Sequence, residues 1–146
     1  YSQGTTQRVI NLPNNISFIP VICYEIVFYW KLLDKFNNKS NFVVNITNDF
    51  WFGNYLGPYQ HFYLTKMRAA EFNKPIIRVS NNGISAVIDN NGKVLKRTTL
   101  NKTENFKHEL LFPESKNFVN FHLIFKIYFF IIFTWVTFYY FKKNAK

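Results

Sequence analysis

Cysteine is nearly absent from this 146-residue chain, which limits how the fold can be held together. The single cysteine, Cys23, cannot form an internal disulfide, so the fold must be held by packing. The three histidines, His61, His108 and His122, show no metal-ligand spacing, and one cysteine cannot complete a zinc site. We therefore expect no bound metal.

Acidic residues are missing from the first part of the chain. Residues 1–22 contain no Asp, Glu or Lys, and Arg8 is the only charged side chain there. The first residue is Tyr1 rather than Met, and no signal peptide is visible. We expect the chain to be processed or to be the C-terminal part of a longer protein.

Basic residues outnumber acidic ones, giving a net charge of +10. Residues 1–117 carry 14 Lys or Arg against 8 Asp or Glu, and the remaining four positive charges follow residue 117. The basic residues of the first part form no stripe and accompany no RNA-binding aromatic motif. We therefore expect a solvated surface and no nucleic-acid partner.

A long apolar run, FVNFHLIFKIYFFIIFTWVTFYYF, occupies residues 118–141. As a helix it would be about 36 Å long, enough to cross a hydrocarbon core of about 30 Å. A buried core helix or an interfacial helix is the alternative, but the rest of the chain offers little core for so many aromatics. The basic tail, residues 142–146, predicts a cytoplasmic C-terminus with residues 1–117 on the far side.

The remaining pattern predicts the order β-α-β-α-β-β-β, an α/β chain of the α+β type with helices against a mixed sheet. One helix, beginning near Pro58, places Tyr59, Phe62, Tyr63, Met67 and Ala70 on a single stripe, which we expect to pack in the core. Residues 98–117 are polar and predict a linker. The strands are expected at 17–23, 42–47, 76–80, 84–89 and 93–97, the helices at 25–36 and 58–72, and a turn-rich loop at 48–58. Residues 90–92, Asn-Asn-Gly, predict a tight turn before the last of these strands.

Cys23 stands where the first strand gives way to a helix. The N–H groups at a helix start favour a thiolate and can stabilise an oxyanion formed when that thiolate attacks a carbonyl. A sharp turn would expose the sulfur at the edge of the sheet. The alternative is an inert, packed thiol, because free cysteine is among the most buried residue types.

Several motifs around this cysteine occur in a recognisable order. They are ICYE (22–25), NDFWFG (48–53), GPYQH (57–61), MRAAE (67–71) and IRVSNNGISAVIDNNG (77–92). In order and spacing, over roughly residues 1–95, they resemble the apolipoprotein N-acyltransferase family of the nitrilase, or carbon-nitrogen hydrolase, superfamily. This resemblance implies that residues 1–97 are part of a catalytic domain, the C-terminal half of an αββα sandwich.

The resemblance also implies a chemistry. The family uses a Glu-Lys-Cys triad, so Cys23 would take an acyl chain from a phospholipid as a thioester. It would then pass the chain to the α-amino group of a diacylglyceryl-cysteine in an apolipoprotein, without a cofactor. The setting would be the bacterial inner membrane, with the catalytic part on the periplasmic side of the lipid bilayer.

Three further residues match positions that line the family's pocket. Tyr24 and Glu25 follow the nucleophile, and Glu25 would contact the incoming amine or orient the lysine, or else cap its helix. Trp51 matches a loop tryptophan near the lipid path, and an interfacial anchor is its alternative role. Asp49 is expected to shape the loop rather than to take part in chemistry.

The chain departs from the family in one respect. The family's glutamate and lysine lie N-terminal to the cysteine motif, in segments that this chain does not contain. We therefore expect the chain to need the N-terminal half of the same enzyme as a partner, to be inactive alone, and to leave one sheet face exposed without it. The alternatives are a membrane-anchored nitrilase-type amidase and a non-catalytic remnant or binding module in which Cys23 merely packs.

The charge pattern yields a test of membrane topology. A reporter fused after Lys146 should lie in the cytoplasm, because the basic tail follows the apolar segment directly. Two fusions measure the location of the C-terminus: one carries a reporter enzyme that is active only in the cytoplasm, and the other carries a reporter enzyme that is active only after export. Activity of the exported reporter alone would reverse the predicted orientation.

Overall fold

The computed structural model describes residues 8–28, 30, 32, 40–112 and 121–144. Its contacts divide the chain into two units, Tyr1–Lys116 and Asn117–Lys146, which are treated separately below. The described elements of the first unit are β1 (Ile10–Asn11), β2 (Ser17–Ile22), a 3-10 helix (Cys23–Val27), β3 (Phe42–Asn48), a 3-10 helix (Phe50–Phe52), α1 (Leu56–Phe72), β4 (Ile76–Asn81), β5 (Ala86–Ile88) and β6 (Val94–Arg97). The second unit contains α2 (Phe121–Asn144).

The strands form one sheet in the order β1-β2-β3-β4-β5-β6. The central strands β2, β3 and β4 are parallel, and the outer pairs β1–β2, β4–β5 and β5–β6 are antiparallel. The predicted mixed sheet with helices is therefore confirmed. The parallel centre matters for the site, because the carboxyl ends of β2, β3 and β4 all meet at one edge of the sheet.

The sheet has one buried and one partly open face. Side chains alternate along a strand, so Val21, Val43 and Ile76 point to one side and are fully buried. They share a core with Phe62, Ala69 and Phe72 of α1. On the opposite side Ile22, Ile46 and Val79 are each 51% exposed, in agreement with the expected open sheet face.

The segment after Cys23 differs from the predicted helix over 25–36. Residues Cys23–Val27 form a short 3-10 helix rather than the first turn of an α-helix. Further on, Trp30 and Leu32 are helical and Leu32 is buried. Residues 29, 31 and 33–36 of the predicted helix lie outside the described residues.

The buried face of α1 also differs from the prediction. Tyr59, Tyr63 and Met67 are exposed, and of the predicted stripe only Phe62 packs in the core. The helix instead turns three polar side chains inward, His61, Thr65 and Arg68. Hydrophobic periodicity indicated the wrong face because α1 also covers a buried charged residue of the sheet, Arg78, to which Thr65 is hydrogen-bonded.

The turn between β5 and β6 has the predicted chemistry. The Asp89 carboxylate accepts hydrogen bonds from the backbone N–H groups of Asn91 and Lys93, at 2.9 and 2.8 Å. Gly92 adopts a φ of 81°, and a Cβ there would lie 2.8 Å from the carbonyl oxygen of Lys66. Glycine is therefore required by both the backbone conformation and the close approach to α1.

The segment after β6 is mostly exposed in its described part, residues 98–112, but some of its side chains pack against the sheet and its core. Phe112 stacks on Phe42 with ring centroids 5.7 Å apart, and Leu100 packs against the core. Residues 113–117 of the predicted linker lie outside the described residues.

The helix of the second unit, α2, extends to Asn144, three residues past the predicted end. Its predicted start at residue 118 lies outside the described residues. Within it, Ile124–Lys142 is long and apolar enough to cross a membrane, by length and composition, and none of this stretch is buried. It is the one such helix in the part of the chain that the structure describes.

Candidate active site

Cys23 lies at the sharp turn where β2 ends and the first 3-10 helix begins. Its φ is 51°, in the left-handed region that costs an ordinary L-residue about 1–2 kcal/mol. The side chain is partly exposed. Non-glycine residues held in this region are found preferentially at functional sites, where the surroundings enforce them.

Two side chains from other elements fix this turn. Asn45 of β3 donates its side-chain N–H to the carbonyl oxygens of Val21 and Cys23, at 3.0 and 3.3 Å. Arg68 of α1 donates Nε–H to the carbonyl oxygen of Ile26 at 3.0 Å. The backbone is thus held on both sides of the cysteine, which offsets the cost of its strained conformation.

The sulfur of Cys23 is surrounded by hydrogen-bond donors. The Thr47 hydroxyl lies 3.4 Å from Sγ. This hydrogen bond is the main reason that the pKa of Cys23 is lowered, and the backbone N–H groups of Asn48 and Tyr24 add to it, while burial and the negative charge of Asp49 oppose it. A lower pKa increases the thiolate fraction, and the thiolate is the nucleophilic form.

Behind the cysteine, the Asp49 carboxylate is the centre of a buried polar network. Its Oδ2 accepts from Arg78 Nη2 at 2.6 Å and from the Ser80 hydroxyl at 2.9 Å. Its Oδ1 lies 2.8 Å from His61 Nδ1 and 3.2 Å from the Thr47 hydroxyl. Because a carboxylate only accepts, the His61 contact requires a hydrogen on Nδ1.

Arg78, the partner of Asp49, is equally well satisfied. The side chains of both residues are 0% exposed. The guanidinium also donates to Asn45 Oδ1 at 2.7 Å, to the Thr65 hydroxyl at 3.0 Å and to the Ile84 carbonyl at 3.1 Å. A buried ion pair is tolerated when its remaining donors and acceptors are filled in this way.

This network changes the acidity of Asp49. Burial by itself raises the pKa of a carboxyl group, but the hydrogen bond from His61, the charge of Arg78 and the hydrogen bonds from Arg78 and Ser80 outweigh it. Together they lower the pKa of Asp49 from 3.8 to about 2. The carboxylate is therefore ionised throughout the physiological range.

Gly83 allows the loop after β4 to approach the Asp49 carboxylate closely. A Cβ at this position would lie 2.1 Å from Asp49 Oδ2 and 2.1 Å from the Ser80 hydroxyl. No side chain fits at these distances, so the loop after β4 approaches the carboxylate only because position 83 is glycine.

Tyr24 lies beside the cysteine and is 44% exposed. Its ring contacts those of Phe28, Phe52 and His61, with centroids 5.7, 6.0 and 5.5 Å apart. The structure therefore joins the cysteine motif to the loop after β3 and to α1 through an aromatic cluster.

Glu25 makes the capping contact that the sequence left open. Its Oε2 accepts from the backbone N–H of Ile22 at 2.8 Å, and Arg8 Nη2 lies 2.5 and 2.6 Å from the two carboxylate oxygens. Trp51 lies apart from these contacts, on the second 3-10 helix, and is 84% exposed.

Sequence reasoning missed the polar network, above all Thr47, His61 and Arg78, and took Asp49 for a loop-shaping residue. One signal in the sequence could have indicated it. Cys23 lies at the carboxyl end of β2, Thr47 and Asp49 lie at the carboxyl end of β3, and Ser80 lies at the carboxyl end of β4. In a parallel sheet these ends share one edge.

Comparisons with known proteins show the family of the chain. A family model described as carbon-nitrogen hydrolase matches residues 2–110. The chain therefore belongs to the carbon-nitrogen hydrolase family. Within this family it is similar to apolipoprotein N-acyltransferases: it is 44% identical over 101 residues to that of Allorhizobium ampelinum, covering 69% of this chain and 19% of that protein. 

Two further relatives of the same name are 41% and 34% identical. They come from Rickettsia bellii, with 70% of this chain and 20% of that protein covered, and from Vibrio parahaemolyticus, with 75% and 22% covered. The chain thus spans about a fifth of the length of these curated relatives.

Solved structures of the nitrilase superfamily share the fold. Saccharomyces cerevisiae Nit3 aligns with a TM-score of 0.54 and 18% identity, covering 70% of this chain and 40% of that one. An amidase from Nesterenkonia gives 0.54 and 15%, with 68% and 40% covered. The nitrilase-like fold class expected from the sequence is confirmed.

Gly83→Ala should destabilise the protein by about 1–3 kcal/mol, because the new methyl group displaces Asp49 or Ser80 from a buried hydrogen bond. Urea denaturation of the full chain in detergent, followed by circular dichroism, measures this change. An unfolding free energy equal to that of wild type would show that the loop does not approach Asp49 this closely.

The free energy of unfolding should also decrease at low pH, because Asp49 becomes protonated there. Its folded pKa, about 2, lies below the ordinary value of 3.8, so its stabilising contribution is complete above pH 5 and is lost as the pH falls toward 2. The loss should amount to roughly 2 kcal/mol. Asp49→Asn should be less stable at pH 7 and should lack this part of the pH dependence in the same denaturation experiment. An unchanged pH dependence in the variant would contradict the role of Asp49.

Proposed function

We propose that this chain supplies the nucleophile of a lipoprotein N-acyltransferase, and that Cys23 is that nucleophile. One observation carries the proposal: a partly exposed thiol lies at a strained turn, with three hydrogen-bond donors around its sulfur. A thiol that only packs would need neither the strain nor the donors.

In the first half of the reaction, the Cys23 thiolate attacks the carbonyl carbon of a phospholipid acyl ester. A C–S bond forms, the ester C–O bond breaks, and the lysophospholipid alkoxide leaves with a proton from a general acid. The backbone N–H groups near the sulfur, those of Tyr24 and Asn48, are placed to favour negative charge at this end of the sheet.

In the second half, the α-amino group of a diacylated apolipoprotein attacks the thioester carbonyl. An amide C–N bond forms, the C–S bond breaks, and the thiolate of Cys23 is regenerated while a base takes the proton of the amine. A thioester suits this step because it is activated toward amines, provided that water is kept away.

We propose that the proton acceptor comes from outside the described residues. The two carboxylates near the cysteine are already engaged: Glu25 is bonded to Arg8 and to the Ile22 N–H, and Asp49 is enclosed by its network. We propose that the glutamate and the lysine of the family's triad lie in another part of the enzyme, and that this chain alone does not turn over.

The remaining site residues have supporting roles in this proposal. Tyr24 and its aromatic cluster line the acyl side of the pocket, since an apolar wall suits a hydrocarbon chain. Glu25 orients groups at the mouth of the pocket through its contact with Arg8. Trp51, which is highly exposed, contacts lipid near the headgroups, where tryptophan is favoured.

The same proposal covers the arrangement of the chain. Residues 1–97 form part of the periplasmic catalytic domain, and residues 98–117 connect it to the membrane. Residues 118–141 span the bacterial inner membrane, and residues 142–146 form a basic cytoplasmic tail. The candidate spanning helix Ile124–Lys142 supports this assignment by its length and composition.

The acyltransferase is favoured over a nitrilase-type amidase on the strength of similarity. The acyltransferase relatives are 34–44% identical to this chain, whereas the Nesterenkonia amidase is 15% identical. The latter likeness shows the shared fold and carries no information about the substrate.

A trapping experiment tests Cys23. We would build a chimera in which this chain replaces the matched segment of the Allorhizobium relative, and incubate it with a phospholipid that carries a labelled acyl chain. The chimera should acquire a label that hydroxylamine removes, as expected of a thioester, and Cys23→Ser should abolish it. The 146-residue chain alone should remain unlabelled.

Thr98→Val is the matched control. Thr98 is buried, and its hydroxyl bonds to Ser85 rather than to the site, so this variant should acquire the label as wild type does. Retention of the label in Cys23→Ser would refute the assignment of the nucleophile. Labelling of the isolated chain would refute the proposed need for residues from elsewhere.

A further inference from the structure

We propose that Thr47 is a positioning residue for Cys23. While Cys23 is a thiol, the Thr47 hydroxyl donates its one hydrogen to Asp49. When Cys23 loses its proton, the hydroxyl turns and donates this hydrogen to the sulfur. This inference rests on the proposed role of Cys23 as the nucleophile. It assigns to Thr47 the task of holding the reactive sulfur and of stabilising its charged form.

The distances place Thr47 between two acceptors. Its Oγ1 lies 3.4 Å from Cys23 Sγ and 3.2 Å from Asp49 Oδ1. A threonine hydroxyl carries one hydrogen and two lone pairs, so it can donate to only one of these neighbours at a time. Thr47 is 6% exposed, which leaves little access to water as a substitute partner.

The protonation state of Cys23 decides which neighbour receives the hydrogen. A thiol is a weak donor, so its S–H can point at the Thr47 oxygen while the hydroxyl donates to the Asp49 carboxylate. A thiolate can only accept, and a hydrogen bond to a charged acceptor is stronger than one to a neutral group. The hydroxyl therefore turns to the sulfur when the thiol ionises.

Asp49 can release this hydrogen bond at little cost. Its carboxylate keeps three other donors, His61, Arg78 and Ser80. Each carboxylate oxygen of Asp49 therefore still accepts a hydrogen bond when Thr47 turns away, and the usual penalty for an unfilled buried acceptor does not arise at Asp49. The network behind the cysteine thus keeps Thr47 in place and leaves its hydrogen free to move.

The charges around the sulfur act in opposite directions. Asp49, at the end of β3, disfavours a thiolate, and Arg78 of β4 attracts one. Glu25, on the cysteine's own 3-10 helix, is held by Arg8. Since the hydrogen bond from Thr47 is the largest influence that lowers the pKa of Cys23, removing it should have a measurable effect.

The single cysteine makes the test direct, because any thiol reagent reports on Cys23 alone. The rate of alkylation by iodoacetamide would be measured between pH 5 and pH 10 on the full chain in detergent. Thr47→Val, which keeps the shape and removes the hydroxyl, should react about tenfold more slowly at pH 7 and as fast as wild type at high pH.

Two further variants separate the hydrogen bond from a general loss of structure. Thr47→Ser retains a hydroxyl and should restore most of the wild-type pH profile. Thr98→Val removes a hydroxyl from a threonine of the same 6% exposure, bonded to Ser85, and should leave the profile unchanged. A wild-type profile for Thr47→Val, failure of Thr47→Ser to restore it, or an equal shift in Thr98→Val would each overturn the inference.

A measurement on the unmutated chain covers the case in which Thr47→Val does not fold. One cysteine gives one infrared S–H stretching band, and the thiol should show the frequency of an S–H group that donates a hydrogen bond. The frequency of a free S–H group would overturn the inference.

The outcome can be told apart from that of the proposed function. If the pH profile depends on Thr47 while the chimera described above forms no thioester, the hydrogen bond stands and the acyltransferase proposal fails. If the chimera is labelled and Thr47→Val keeps the wild-type profile, only the role of Thr47 fails.

Discussion

The ion pair between Asp49 and Arg78 is the interaction on which the site depends. Two charges removed from water are unfavourable unless every remaining donor and acceptor is filled, and here both side chains are fully buried. This requirement explains why the inner face of α1 carries polar side chains beside its apolar ones. His61 donates a hydrogen bond to the carboxylate, and Thr65 accepts one from the guanidinium. Both lie at positions where an apolar core would have apolar side chains.

The same ion pair is connected to the cysteine by hydrogen bonds through two side chains. Asn45 joins Arg78 to the backbone of the cysteine turn, and Thr47 joins Asp49 to the sulfur. The strained φ of Cys23 is thereby supported from the interior of the domain rather than by the exposed loop. In the proposed reaction, such a support would keep the nucleophile in position when substrate binds.

Much of the fold could be predicted from local pattern. The strands of the parallel centre, the Gly92 turn and the apolar helix were predicted because each is encoded by neighbouring residues. The face of α1 could not be predicted in this way. Tyr63 and Met67 have the character of core residues, yet Thr65 and Arg68 are buried, because distant partners satisfy their polar groups.

The sequence by itself determined that one thiol stands where a strand ends, and that its motif resembles those of acyl-transferring relatives. Only the tertiary structure decided which groups surround that thiol. Thr47 is far from Cys23 along the chain, and it contacts the sulfur because the parallel strands β2 and β3 end at one edge of the sheet. Asp49 and Arg78 lie behind Thr47 and are linked to it through hydrogen bonds. Apolar periodicity reports a residue's preference for water or core, whereas the burial of a polar side chain depends on the partner it finds.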